Sequence, residues 1–282
     1  MKAVTGIDYE VEYNNRARVP ENPALMAGWA RDAAAYREQC APRRIAYGPG
    51  ARHVIDMFAG QNQDQSKAPL VVFIHGGYWQ ALDGSWFSHM ARGLNSHGIG
   101  VAVPTYDLCP QVSVAEIIEE MRQATRELAK VSSRLVVSGH SAGGHLAACL
   151  LATDWKACDP SLPPDLVSAA YAISGLFELE PLVPTSINKA LGLDPAAAHA
   201  ASPLFWNAPS HGSLDAVVGE AESAEYHRQS RSIVDVWGQA WDRAGVATRF
   251  GTVPAANHFT AIAPLADPAS AMTLRLKELA GR

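Results

Sequence analysis

LVVSGHSAGGHLAACLL, from Leu135 to Leu151, decides how the rest of the chain is read. Leu135-Val136-Val137 is an unbroken apolar run that predicts a buried parallel strand. Gly139-His140-Ser141-Ala142-Gly143 follows, and a run of Ala, Leu and Cys then predicts a helix. A G-x-S-x-G placed between a strand and a helix is a nucleophile elbow. So sharp a turn strains the serine backbone and leaves no room for side chains on its neighbours, which accounts for the flanking glycines. The Ser141 hydroxyl is thereby expected to stand clear of the sheet edge. The Ala142 N–H lies at a helix N-terminus, where negative charge is stabilised.

Composition bounds what such a turn can belong to. The chain has 282 residues, 48% of them hydrophobic and 18% charged, with a net charge of -5. That suits one α/β domain large enough for a substantial core, spanning 1–282. The absence of a strong basic excess argues against a nucleic-acid partner. The opening MKAVTGIDYEVEYNNR lacks an apolar leader, and no later run reaches the length of a membrane span, so a cytoplasmic protein is expected. Cys40, Cys109, Cys149 and Cys158 form no C-x-x-C pair, which predicts free thiols.

Upstream of the elbow, residues 1–42 read as a helical arm, with Pro23 in a first helical turn, Asn22 as its cap, and Leu25, Met26, Trp29, Ala33 and Tyr36 at helical spacing. Such an arm can pack on the main domain or on a second subunit, as in a homodimer. Strands are expected at Arg43–Tyr47 and Ala51–Phe58, a polar loop at Gly60–Ala68, and a buried strand at Leu70–Ile74. A helix over Ser85–Ser96, a strand at Ile99–Val103 and an amphipathic helix at Val114–Val131 lead to the elbow strand. Downstream come a strand at Leu166–Ser174, a long segment at 175–210 read as a small cap, and a strand at Leu214–Gly219. A helix at Ala224–Gly245, a strand at Ala247–Val253 and a helix at Pro268–Leu279 complete the chain. This alternation implies a mostly parallel sheet with helices on both faces.

A serine nucleophile needs a base within reach and an acid to orient the base. In this architecture the acid and then the histidine follow the serine, each on a loop after a later strand. His258, in Ala255-Ala256-Asn257-His258-Phe259, stands just past the last strand and is expected to be the base. The acid should follow Leu214–Gly219, where Glu220, Glu222 and Glu225 are the candidates; Asp215 falls within the strand. Glu222 is favoured because it lies far enough past the strand to turn back toward His258, with Glu220 as the alternative. His140 and His145, beside the elbow, are expected to bond locally. The oxyanion donors are expected from Ala142 and from Gly76 and Gly77, in the His75-Gly76-Gly77 loop. Tyr78, Trp79, Phe177, Trp206 and Phe259 are candidates for an aromatic substrate pocket. No histidine or cysteine cluster has metal-ligand spacing, so neither metal nor cofactor is expected.

With these pieces placed, the chain resembles the kynurenine formamidase (arylformamidase) family of α/β-hydrolases. His75-Gly76-Gly77-Tyr78-Trp79-Gln80 is similar to that family's HGGxW signature, and Gly139–His145 to its GHSAGxH elbow. Glu12-Tyr13-Asn14, Ser174–Leu182 and Val217–Ser230 are similar as well, so the resemblance runs from about residue 10 to residue 262. It implies an α/β-hydrolase fold and hydrolysis of N-formyl-kynurenine to kynurenine and formate. Ser141 would be the nucleophile and His258 the base, with Glu222 standing where the family usually has Asp. A carboxylesterase, or an amidase for another small acyl or aromatic substrate, would use the same machinery. A non-catalytic relative that binds a small ligand would not need Ser, acid and His in this order.

Overall fold

The computed structural model describes residues 6–60, 70–239 and 245–281. The first five residues of the expected arm, 61–68 of the expected polar loop, and 240–244 of the expected long helix lie outside the described residues. The chain opens with helices α1 (Tyr9–Tyr13), α2 (Asn15–Arg18) and α3 (Asn22–Gln39), and strands β1 (Arg43–Ala46) and β2 (Val54–Phe58). Strand β3 (Leu70–Ile74) leads through a 3-10 turn at Gly84–Ala91 and α4 (Arg92–Asn95) to β4 (Gly100–Thr105). Then come α5 (Val114–Ala129), β5 (Leu135–His140), α6 (Ala142–Leu151), α7 (Trp155–Cys158) and β6 (Val167–Ile173). Short helices α8 (Asn188–Leu191) and α9 (Pro195–Ala200) precede β7 (Ser213–Gly219), α10 (Ala224–Gln239), β8 (Ala247–Val253) and α11 (Ala271–Ala280).

The strands form an eight-stranded sheet in the order β1-β2-β4-β3-β5-β6-β7-β8. Only the pairings of β1 with β2 and β2 with β4 are antiparallel; the remainder is parallel, as unbroken apolar strands require. Alternate residues serve opposite faces. Leu70, Val72 and Ile74 of β3 pack with α5, α6 and α10, through Ile117, Met121, Leu146, Leu150 and Trp237. Val71 and Phe73 face the other way, into Trp29 and Tyr36 of α3, Phe87 and Met90, and Leu276 of α11. Helix α5 starts on a capping box, with Ser113 and Glu116 satisfying each other's backbone N–H groups.

Two local readings are corrected. Asn22 is not the side-chain cap of α3: it lies inside the first turn, and its amide donates to the carbonyls of Arg16 and Val19. The expected Ser85–Ser96 helix is 3-10 over Gly84–Ala91 and α-helical only over Arg92–Asn95. Within the α-helical part Gly93 packs closely, since a Cβ there would stand 2.8 Å from Thr273 Oγ1 and closer still to the Leu265 carbonyl. The cysteines are free. Among the described residues no helix is long and apolar enough to cross a membrane.

Register brings the carboxyl ends of the central strands level. Ile74 of β3 pairs with Gly139 of β5, His140 with Ile173 of β6, and Ile173 with Val217 of β7. Gly219 of β7 pairs with Val253 of β8. The loops carrying His75–Gly77, Ser141, Ser174, Glu222 and His258 therefore leave one edge side by side, which is where open α/β sheets bind their ligands.

Candidate active site

Ser141 has φ 56° and ψ -117°. A non-glycine residue in that region costs about 1–3 kcal/mol and persists only where the surroundings enforce it. They do so here. The Ser141 N–H donates to the Ile173 carbonyl at 2.8 Å, and its carbonyl accepts from His145 at 3.1 Å. A Cβ on Gly139 would strike the Gly143 carbonyl, and one on Gly143 would strike the Ile74 carbonyl, so both flanking glycines are sterically required.

Glu222 Oε2 and His258 Nδ1 are 2.6 Å apart, and both side chains are almost wholly buried. The second carboxylate oxygen, Oε1, accepts from the Gly219 N–H at 2.7 Å and from the Ser174 hydroxyl. Ser174, itself at φ 51°, is held by its own N–H on the Val217 carbonyl at 2.7 Å. With Nδ1 engaged by the carboxylate, His258 has Nε2 left for the cavity that it shares with Ser141. Glu220 goes elsewhere: its carboxylate accepts from the Ala255 N–H at 2.8 Å and secures the loop before His258. The Asn257 side chain accepts from the amides of Phe259 and Thr260 and tightens the same loop.

Both histidines beside the serine bond locally. His140 is held neutral by burial and by the nearby His258 ring, so its Nε2–H donates to the His258 carbonyl at 2.9 Å. His145 is likewise kept neutral by burial, with its pKa lowered to about 4, and Nε2 donates to the Ala201 carbonyl at 2.7 Å.

The glycine loop has a preset direction. Burial lowers the His75 pKa to about 4, and Nδ1 of the neutral ring donates to the Gly76 carbonyl at 2.7 Å. Stacking on Tyr106, at 4.2 Å between centroids and 3° between planes, fixes the ring. In a trans peptide the C=O and the next N–H point in opposite directions. Holding the Gly76 carbonyl on His75 therefore sends the Gly77 N–H the other way. Gly76 packs against the elbow, since a Cβ there would meet the His140 carbonyl at 2.8 Å and Ser141 Cβ at 3.1 Å. Gly77, at φ 114°, needs the freedom of glycine. Among the described residues, the amides of Gly76, Gly77 and Ala142 have no backbone or side-chain acceptor. Such a set can receive an oxyanion.

A cavity of about 420 Å³ opens above Ser141. Tyr78 and Phe259 line it, as do Gly76, Gly77 and His258. Trp79, Phe177 and Trp206 do not. Trp79 and Phe177 are fully buried in the core beside α6 and α10, where large rings fill space between sheet and helices. Trp206 packs at the side of the core, its Nε1–H donating to the Ala200 carbonyl at 2.9 Å. The wall that sequence reasoning missed is the arm, which supplies Tyr13, Asn14, Asn15, Arg16, Met26 and Trp29. Tyr13 reaches α10 with a 2.8 Å bond to Glu225, whose own N–H donates to Glu12 at 3.0 Å. The signal for this wall was Glu12-Tyr13-Asn14, a stretch whose only mark was resemblance. Arg16 is the one Lys or Arg on the described wall, and no Asp or Glu accompanies it.

One grouping away from the cavity has metal-type donors: His53, Asp107 and Glu120 lie within 4.8 Å of one another. His53 Nδ1 accepts from the Gly50 N–H at 3.2 Å, so Nε2 carries the ring proton and faces Asp107 at 3.2 Å. A proton-bearing nitrogen is not a free ligand atom, and this one, though close to Asp107 and Glu120, makes no hydrogen bond to either.

A family profile described as alpha/beta hydrolase fold matches residues 71–230. Kynurenine formamidase from Danio rerio is 29% identical over 246 residues, 84% of this chain and 81% of that protein. Kynurenine formamidase from Drosophila melanogaster is 31% identical over 217 residues, 68% of this chain and 67% of that protein. The crystal structure of a candidate thioesterase from Silicibacter sp. TM1040 superposes with a TM-score of 0.81 at 33% identity, covering 95% of this chain and 98% of that one.

Proposed function

The chain belongs to the kynurenine formamidase family of α/β-hydrolases, and on that premise we propose that it hydrolyses aryl formamides, N-formyl-kynurenine among them, through Ser141, His258 and Glu222. The observation that carries the reading is the convergence on one cavity of Ser141, the Glu222-bonded His258 and the acceptor-free amides of the glycine loop.

In the first half-reaction Ser141 Oγ bonds to the formyl carbon while its proton passes to His258 Nε2. The carbonyl electron pair moves onto oxygen, facing Gly77 and Ala142. The C–N bond then breaks, the nitrogen keeps the pair, and the proton on Nε2 passes to it, so the aryl amine leaves neutral. Water repeats the sequence on the formyl ester and releases formate. Glu222 orients the imidazole and stabilises its charged form throughout. Formyl is the smallest acyl group, and an aryl amine leaves more readily than an alkyl amine, so the general acid faces a modest demand.

The test compares kcat/KM for N-formyl-kynurenine, N-formylaniline and short and long p-nitrophenyl esters. Preference for the formyl anilides supports the reading. Preference for an ester would move the protein to the carboxylesterase or thioesterase reading, which the likeness to the Silicibacter protein favours. The expected substrate is a small aromatic molecule. We place the enzyme in the cytoplasm, on the sequence reading above.

A further inference from the structure

Beside Ser141 runs a chain of hydrogen bonds whose direction is fixed. The Tyr78 hydroxyl lies 2.6 Å from the Tyr13 carbonyl, which can only accept, so the Tyr78 proton is committed there. The 2.6 Å contact between the hydroxyls of Tyr78 and Tyr226 must then use the proton of Tyr226. Asn15 Nδ2 stands 2.8 Å from the Tyr226 oxygen and 3.2 Å from the Tyr78 oxygen. Both hydroxyl protons are spent, so the Asn15 amide must present its NH2 and supply one hydrogen to each. The Tyr226 oxygen has given one proton and received one, and a single lone pair is left. That oxygen adjoins Tyr78, which lines the cavity over Ser141, and the Tyr226 ring lies 4.6 Å from that of His258. Burial keeps both phenols protonated.

Tyr226 is therefore a hydroxyl that can only accept at the reacting centre. Resting on the formamide-hydrolase reading above, we propose that the Tyr226 oxygen receives the N–H of the scissile amide and so equips this site for amides as well as esters. When Ser141 attacks, the nitrogen must turn its lone pair toward the proton on His258 Nε2. Its N–H swings away and needs an acceptor in the transition state. An ester oxygen has no such hydrogen and gains nothing from one. Tyr226 neither gains nor loses a proton in the cycle. The arm is thus part of the chemistry, because the Tyr13 carbonyl and Asn15 set the direction of the chain.

The test is the ratio of kcat/KM for N-formylaniline to that for phenyl acetate. Tyr226→Phe should lower this ratio about 10- to 100-fold, the range expected for losing a transition-state hydrogen bond. Tyr78→Phe keeps the Tyr226 hydroxyl and its Asn15 contact but removes the acceptor of its proton, freeing that proton to point at the site. The ratio should fall there too. Labelling of Ser141 by a fluorophosphonate reports whether each variant retains a reactive nucleophile. In the wild type, N-methylformanilide, which lacks the N–H, should be the poorer substrate, and Tyr226→Phe should erase that penalty. A ratio within threefold of wild type in a folded variant, or no N-methyl penalty in the wild type, overturns the proposal. Wild-type turnover of N-formylaniline tests the earlier reading separately: cleavage with unchanged ratios removes only the role of Tyr226, whereas no cleavage removes both.

Discussion

The amide of Gly219 donates to Oε1 of Glu222 at 2.7 Å, and a methyl group on Gly219 would stand 2.9 Å from that same oxygen. It would also strike the Ala256 carbonyl, in the loop that carries His258. Glu222 and the loop that carries His258 are thus spaced by the absence of one side chain.

Gly219→Ala should therefore cut kcat by about 10-fold or more, by displacing a group that must be held to within ~0.5 Å. Gly28→Ala is the control. A Cβ there meets only the Arg31 guanidinium at 3.8 Å, and the residue lies within α3, so stability should rise by about 0.5–1 kcal/mol with kcat unchanged. Steady-state kinetics and thermal unfolding of both variants decide the matter.

Ser141→Ala should abolish turnover of every substrate. Glu222→Gln should lower kcat by about 10⁴-fold, because an amide in place of the carboxylate favours the wrong imidazole tautomer. Glu220→Gln should keep kcat within a few-fold, since that carboxylate only secures the Ala255 amide. A crippled Glu220→Gln beside an active Glu222→Gln would reverse the assignment of the acid.

Phe259→Ala should raise KM for aromatic substrates several-fold, because its ring lines the cavity. Trp206→Ala should leave KM unchanged and show its effect, if any, on stability. Equal KM values for the two variants would place the aryl group outside this cavity.

His75 makes stability depend on pH. Its folded pKa, about 4, lies below the unfolded value near 6.5, so the unfolded chain binds the extra proton between these values. The contribution is complete above pH ~6.5 and is lost as pH falls toward 4, at about 1.4 kcal/mol per pH unit for one such group. His75→Phe should flatten the unfolding free energy over that window by up to one proton. At pH 7.5 it should also lower kcat, because nothing would then hold the Gly76 carbonyl away from the cavity. Urea titrations at pH 7.5 and 5.0 measure the first effect.

How much of this was legible in the sequence follows from what each feature depends on. Strands β3 and β5 are continuous apolar runs, and Ser141 announces itself through the glycines its backbone needs. His258 and Glu222 could be placed by counting loops after strands, since chain order carries that information. The aromatic wall could not be read in that way. A tryptophan that fills a gap between sheet and helix looks the same in sequence as one that lines a cavity, and Trp79 and Phe177 proved to be the former. The arm was harder still. Tyr13 and Asn15 matter through partners more than two hundred positions away, Glu225 and Tyr226, and no local pattern encodes such a pairing.

That separation also sets an order of events during synthesis. The arm leaves the ribosome well before its dock, since the hydroxyl of Tyr226 and the carboxylate of Glu225 are made 211 and 212 residues after Asn15 and Tyr13. Until α10 exists α1 and α2 lack the partners that Glu225 and Tyr226 supply, although α3 already has Phe87 and Met90 to pack on. Loop-closure entropy makes such distant contacts late arrivals. The nascent sheet can assemble strand by strand while the cavity over Ser141 stays roofless, and Tyr13 and Asn15, made early, settle only after α10 does.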